Sequence, residues 1–339
     1  MKSSAALSGQ FKSQAKSAAI KTAQISPLMP IMDKNELRGK DVTGIAMLSK
    51  SELSLILDTA ALLKEHKHDA AQALLCQGKS LALLFEKPSL RTRVTFELGM
   101  KQLGGHAVFL EGPLGVRESV PDIAHNLERW VDGIMARTFL QSTVEGLSNN
   151  AAIPIINGLS DLEHPCQALA DLLTIIEHLG DLSGIKIAYV GDPNNVSNSL
   201  FLAAAKFGAD CVIACPQEYM PDSKIWQLCQ AAAASSGGSM AITHDPIEAV
   251  QQANVVYTDT WVSMGQEDEA EIKEKIFAPY QVNEQLLEHA NDNAIVMHCL
   301  PAHRGMEISA EVIDGAQSVV FDQAENRLHA QKAILALVL

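Results

Sequence analysis

From residue 80 onward the chain alternates short apolar runs with amphipathic stretches of about 10–18 residues. Leu81–Phe85, His106–Leu110, Gly133–Arg137, Ile153–Asn157, Lys186–Val190, Asp210–Ala214, Val255–Thr258, Ala294–Met297 and Val319–Phe321 read as strands. Strand–helix alternation of this kind predicts an α/β architecture of parallel sheets with right-handed crossovers. Upstream, Ser51–Lys64 brings Leu53, Ile56, Leu57, Ala60 and Leu63 onto one helix face. Nine strands exceed one mononucleotide-type sheet. The reading is therefore two doubly wound parallel-sheet domains, about 33–162 and 181–320, joined by a helix over 163–180. A final helix over 321–339 ends in the apolar ILALVL and is expected to return to the first domain.

Composition agrees with a folded chain, since 47% of the 339 residues are apolar and only 19% charged. Apolar runs such as LALLF fall far short of the roughly 20 residues of a membrane span. A formal charge of −14 disfavours binding to long nucleic acid but leaves a small anionic substrate open. Residues 1–32 differ from the rest: four Lys and no acid give +4, which leaves −18 on the remainder. That segment lacks the apolar centre of a secretory signal. Phe11, Ala15, Ala18 and Ala19 could share a helix face as in an organelle transit peptide, but no Arg is present. A disordered extension on a cytoplasmic protein is expected, with the organelle matrix as the alternative. The six Cys show no C-x-x-C and no zinc spacing, and read as reduced packing residues apart from Cys299. His66–His68 reads as solvated.

Ligands of such sheets bind beyond the carboxyl ends of the strands, so the segments following the strands carry the chemistry. After Leu81–Phe85 comes EKPSLRTR, where Ser89 can cap a helix whose free N–H groups suit phosphate. Arg91, Thr92 and Arg93 lie in its first turn; a capped helix with solvated Arg is the plainer reading. Arg is scarce, eight residues against 18 Lys, and four of the eight, Arg91, Arg93, Arg137 and Arg327, fall at strand–helix junctions. Arg is the better residue for bidentate phosphate recognition. In EHPCQ, His164 and Gln167 face one side of a first helical turn, as a capping pair or as donors to a developing oxyanion. After Lys186–Val190, GDPNN lacks G-x-G-x-x-G, which disfavours a dinucleotide site and with it a nucleotide-dependent oxidoreductase. Asn195 there offers an amide to a zwitterion. Asp259, in DTWVSMG, offers an acceptor to an ammonium, followed by the Ser263–Gly265 backbone. In HCLP, Cys299 ends a strand beside the turn Leu300–Pro301.

SLRTR, HPCQ, DTWVSMG and HCLP, in this order over about 33–339, resemble the aspartate/ornithine carbamoyltransferase family, and the last two point to its ornithine branch. The resemblance implies a carbamoyl phosphate site of Ser89, Leu90, Arg91, Thr92, Arg137, His164, Gln167, Cys299, Leu300 and Arg327. It implies an ornithine site of Asn195, Asp259, Ser263 and Met264. It implies no metal and no organic cofactor, and a homotrimer or a multiple of one; the charge and the short apolar runs leave no nucleic acid or membrane partner expected. Arg91, Arg137, His164 and Cys299 would be the catalytic groups. Gln167 would orient the carbamoyl amine, and Cys299 would position the reacting amine or accept its proton, with no base beside it for covalent catalysis. Two departures stand out. Leu90 replaces a Thr common in the family, and GPLGVRESV has Pro113 where a Gln is usual nearby, leaving one phosphate contact unsupported. Alternatives are a carbamoyltransferase for acetylornithine or putrescine, or a non-catalytic binding protein on the same fold.

Overall fold

A computed structural model describes residues 35–262 and 267–339, and Leu37–Leu339 forms one compact unit. The basic extension and two candidate site residues, Ser263 and Met264, lie outside the described residues. The elements are, in order, α1 (Lys50–Glu65), β1 (Ser80–Phe85), α2 (Leu90–Gln102), β2 (His106–Glu111), α3 (Val120–Leu127), β3 (Gly133–Arg137), α4 (Gln141–Ser148), β4 (Ile155–Leu159) and α5 (Pro165–Leu179). The second half comprises β5 (Lys186–Val190), α6 (Asn195–Lys206), β6 (Asp210–Ala214), α7 (Ser223–Ser236), β7 (Ser239–Thr243), α8 (Pro246–Val250) and β8 (Val255–Thr258). It continues through α9 (Ala270–Phe277), α10 (Glu284–Leu287), β9 (Ile295–His298), α11 (Ala310–Ile313) and α12 (Val320–Val338). No helix among the described residues is long and apolar enough to cross a membrane.

All strand pairings within the two sheets are parallel. The first sheet runs β2-β1-β3-β4 and the second β7-β6-β5-β8-β9. The chain therefore has two topological switch points. In the first sheet β1 is followed by β2 on one side and β3 on the other. In the second, β5 is followed by β6 on one side, and β8 then joins its other edge. At each switch point the connections leave in opposite directions, which opens a crevice at the carboxyl ends of the strands. The two crevices are β1/β3 and β5/β8.

Two sequence expectations change here. Val319–Phe321 is not a strand: the chain bridges β9 only at Ser318, then α12 begins at Val320. The β-branched pair is overruled by the long helical pattern behind it. Conversely, Ser239–Thr243 pairs with β6 as an edge strand, and its half-exposed residues lack the continuous apolar run that marked the others. The expected return of the last helix is observed. α12 packs against α1, α2 and α5 and is buried along most of its length, from Ala330 to Leu339 almost without exposure.

Candidate active site

The β1/β3 crevice is built first by a cap. Ser89 takes an extended conformation and its hydroxyl accepts the Thr92 N–H (3.3 Å), which starts α2 directly after β1. Leu90 is exposed and Arg91 half-buried. On the neighbouring strand, the register of β3 against β4 shifts between Ala136 and Arg137. This bulge turns the last residue of β3, and the Arg137 guanidinium is buried with Nη1 donating to Thr92 Oγ1 at 3.4 Å. Arg327, delivered by α12, donates from Nη2 to the same Thr92 oxygen (2.8 Å) and from Nη1 to Gln167 Oε1 (3.0 Å). One threonine hydroxyl thus joins two guanidiniums.

These cations lie together with little to neutralise them. Burial, and then the charges of Arg327 and Arg91, press Arg137 down to about 9. Arg327 is likewise lowered, chiefly by burial. The Nε atoms of both Arg137 and Arg327 are buried without a hydrogen-bond partner. A cluster of desolvated guanidiniums beside a helix N-terminus is incomplete until an anion enters. His164, at the cap of α5, is buried beside them. Its backbone N–H donates to Ser199 Oγ (2.8 Å), and its ring Nδ1 has no partner. Burial and the same three guanidiniums hold the imidazole well below the usual histidine range, so it is neutral.

The β5/β8 crevice supplies acceptors instead. Asp259 follows β8 and is buried. Its Oδ2 accepts from Asn194 Nδ2 (2.8 Å) and its Oδ1 from Cys299 Sγ (3.0 Å). Arg91 lies within electrostatic reach of both Cys299 and Asp259, which brings the two crevices to one place. Burial and then the Asp259 charge push the Cys299 thiol well up, so it is a protonated donor. The carboxylate beside it corrects the expectation that no basic group adjoins the thiol. The Asn195 amide nitrogen donates to Ser160 O (2.5 Å), tying α6 to the turn before α5. The adjacent Asn194 is the residue that reaches Asp259, while its Oδ1 caps α6.

Leu300 sits at φ 58°, an uncommon conformation for a leucine, with a cis bond to Pro301. Its N–H donates to His298 Nδ1 (2.9 Å), which leaves His298 Nε2 to donate to the buried Glu307 (3.1 Å). Asp259, His298 and Cys299 have donor atoms within 4.8 Å of one another, but the described bonds already occupy both nitrogens of His298.

Several supporting groups escape motif reading. Glu86, directly after β1, accepts from Leu114 N–H (2.9 Å) and Phe139 N–H (2.8 Å), joining the segments after β1, β2 and β3. Asp171 accepts at Oδ1 from Gln167 Nε2 (2.8 Å) and Gln323 Nε2 (2.7 Å), and at Oδ2 from the Tyr257 hydroxyl (3.1 Å). Burial pushes its carboxyl up to about 7 against those donors. One signal was available: His164, Gln167 and Asp171 repeat at i, i+3 and i+7, one stripe of α5.

A family model described as the aspartate/ornithine carbamoyltransferase carbamoyl-P binding domain matches residues 40–177, and one for the Asp/Orn binding domain matches 183–338. The chain belongs to the aspartate/ornithine carbamoyltransferase family. Within it, the chain is 52% identical over 306 residues to an ornithine carbamoyltransferase of Thermococcus kodakarensis, covering 89% of this chain and 97% of the relative. It is 51% identical over 306 residues to an ornithine carbamoyltransferase, named anabolic, of Pyrococcus furiosus, covering 89% and 97%. The solved ornithine carbamoyltransferase structure from Pyrococcus furiosus superimposes with a TM-score of 0.87 over 89% of this chain and 97% of that one. The β1/β3 crevice lies in the segment matched by the family's carbamoyl-P domain, and Asn194, Asp259 and Cys299 lie in the segment matched by its Asp/Orn domain.

Proposed function

We infer that this protein transfers the carbamoyl group of carbamoyl phosphate to the side-chain amine of L-ornithine, giving L-citrulline and phosphate. The observation that carries the reading is the convergence of Arg91, Arg137 and Arg327 on a capped helix N-terminus, beside the Asp259–Cys299 pair. The first group of residues suits a phosphate and the second an ammonium.

In this reading the first-turn amides of α2, with Arg91 and Arg137, hold the phosphoryl oxygens and neutralise charge as phosphate departs. Neutral His164 and Arg137 donate to the carbonyl oxygen as it becomes an oxyanion. Removing one such donor typically costs roughly 3–4 kcal/mol of transition-state stabilisation. Gln167 Oε1 accepts from the carbamoyl amine. Asp259 pairs with the α-ammonium of ornithine, and Ser263 and Met264 serve its carboxylate end. The nucleophile is an alkyl amine titrating near ~10.4, so making it neutral at pH 7 costs about 4–5 kcal/mol. A dry, cation-rich pocket lowers that cost by disfavouring the ammonium.

We assign the reaction to arginine biosynthesis, by analogy with the relative named anabolic, and propose the cytoplasm as its compartment. A homotrimer accounts for an exposed apolar patch on α2 and the edge strand β2: Leu90, Val94, Leu98, Val108 and Leu110. The test is citrulline formation from carbamoyl phosphate, with ornithine, acetylornithine and putrescine compared as acceptors. Turnover with ornithine alone is expected. Preference for either of the other amines overturns the assignment.

A further inference from the structure

Gln167 has an amide with two unlike ends, and what it meets at each end is chemically one-sided. Arg327 Nη1 can only donate, so the amide end facing it must be the carbonyl oxygen (3.0 Å). As a carboxylate Asp171 accepts at Oδ1, and Oδ1 already accepts a second amide from Gln323, so the opposite end is the NH2 (2.8 Å). Oδ1 is held in turn by Gln323 Nε2, and Oδ2 by Tyr257, while the Gln323 carbonyl accepts the His298 N–H (2.9 Å). The donors come from α5, α12 and β8, and Asp171 itself is inaccessible to water. A proton resting on Oδ2 would point at the Tyr257 oxygen and leave Oδ1 accepting both amides, so the polarity of Gln167 survives either charge state.

We propose that Asp171 is a positioning residue that fixes the polarity of the Gln167 amide, presenting its carbonyl to the carbamoyl group and so selecting an NH2 over a methyl at that position. The inference rests on the carbamoyl phosphate reading above. A carbonyl oxygen has two lone pairs; Arg327 occupies one, and the other is available to a substrate amine. If the amide were free to turn, its NH2 would meet the carbamoyl NH2, donor against donor. Acetyl phosphate keeps the phosphate and the carbonyl but has a methyl where the amine would be. It gains nothing from the Gln167 carbonyl and serves as the control ligand.

The experiment compares kcat/KM for carbamoyl phosphate with the inhibition constant of acetyl phosphate, on the full chain. In Asp171→Leu, of similar size but with no acceptor, kcat/KM should fall about 10- to 100-fold, as expected when a buried donor loses its partner. The acetyl phosphate constant should change less than about threefold. Asp171→Asn can keep a carbonyl toward both amides, and should hold the ratio of the two constants within about threefold of the unaltered chain. In a Gln167→Leu background, Asp171→Leu should lower kcat/KM by less than about twofold more. Parallel weakening of both ligands, independent losses in the double variant, or loss of the ratio in Asp171→Asn each overturn the proposal. The Asn variant decides it even if the Leu variant does not fold. Failure of the unaltered protein to form citrulline would instead overturn the underlying reading.

Discussion

On the proposed reading Arg137 has opposite effects on stability and on phosphate binding, and Arg137→Met is expected to separate them. In the unliganded protein its guanidinium is buried, with burial and the charges of Arg327 and Arg91 lowering it to about 9. At ~1.36 kcal/mol per tenfold change in proton affinity, that drop corresponds to about 5 kcal/mol of folding free energy spent on keeping the charge. Methionine has a similar stem and no charge. The substitution gives up one long hydrogen bond, Nη1 to Thr92 Oγ1 at 3.4 Å, worth about 1 kcal/mol or less, and some packing. The expected result is an unliganded variant about 2–3 kcal/mol more stable than the parent, a rise of several degrees in midpoint. The gain should be constant between pH 6 and 8, because folded and unfolded parent both carry the guanidinium charge throughout that range. Phosphate should reverse the order. At 100 times its Kd an anion stabilises the parent by about 2.7 kcal/mol, and the variant should lose most of this. The assay is thermal unfolding with and without inorganic phosphate. A variant less stable than the unliganded parent, or one stabilised by phosphate to the same extent, would refute the reasoning.

Three further outcomes follow from the same structure. His164 and His329 are both buried, His164 held well below the usual range by burial and three guanidiniums, and His329 lowered to about 4, first by burial. From about pH 6.5 down to 4 the unfolded chain therefore takes up protons that the folded one does not. Stability should fall about 1.4 kcal/mol per pH unit for each histidine, and His329→Gln should visibly flatten the urea-midpoint curve over that range. Glu86→Gln leaves one carbonyl where two oxygens accept the Leu114 and Phe139 N–H groups. Initial-rate kinetics should show KM for carbamoyl phosphate rising about three- to tenfold with a smaller change in kcat; an unchanged KM would detach those loops from the site. Turnover at low ornithine should rise with pH from about 6 to 8.5 as the neutral amine becomes more abundant, and a flat profile would sink the deprotonation step.

The sheet strands and the residues following them were legible because each is a local event. A buried parallel strand is a short apolar run, a helix start is a cap such as Ser89, and a motif such as SLRTR stays within one turn. The scarcity of Arg was informative for the same reason, since a charge placed at a strand end is visible in one dimension. Val319–Phe321 misled because three residues carry the propensity of a strand while the nineteen-residue helix that begins at Val320 decides the outcome. Ser239–Thr243 was missed because an edge strand need not be continuously apolar.

What the tertiary structure alone decided is how distant residues face one another. Thr92 and Arg327 are 235 positions apart yet share a 2.8 Å hydrogen bond, because α12 returns to pack on α2. Asn194 reaches Asp259 while the adjacent Asn195 amide nitrogen reaches Ser160, since the partner each amide meets depends on where the helix cap falls against the neighbouring strands. Asp171 and Glu86 have no motif of their own; their partners come from other elements, and only sheet order and helix packing bring those donors within reach. Sequence determined the elements and the chemical types at their ends by local propensity. The two parallel sheets, each with its own switch point, determined which of those ends meet, because long-range packing fixes the approach of groups that local sequence leaves independent.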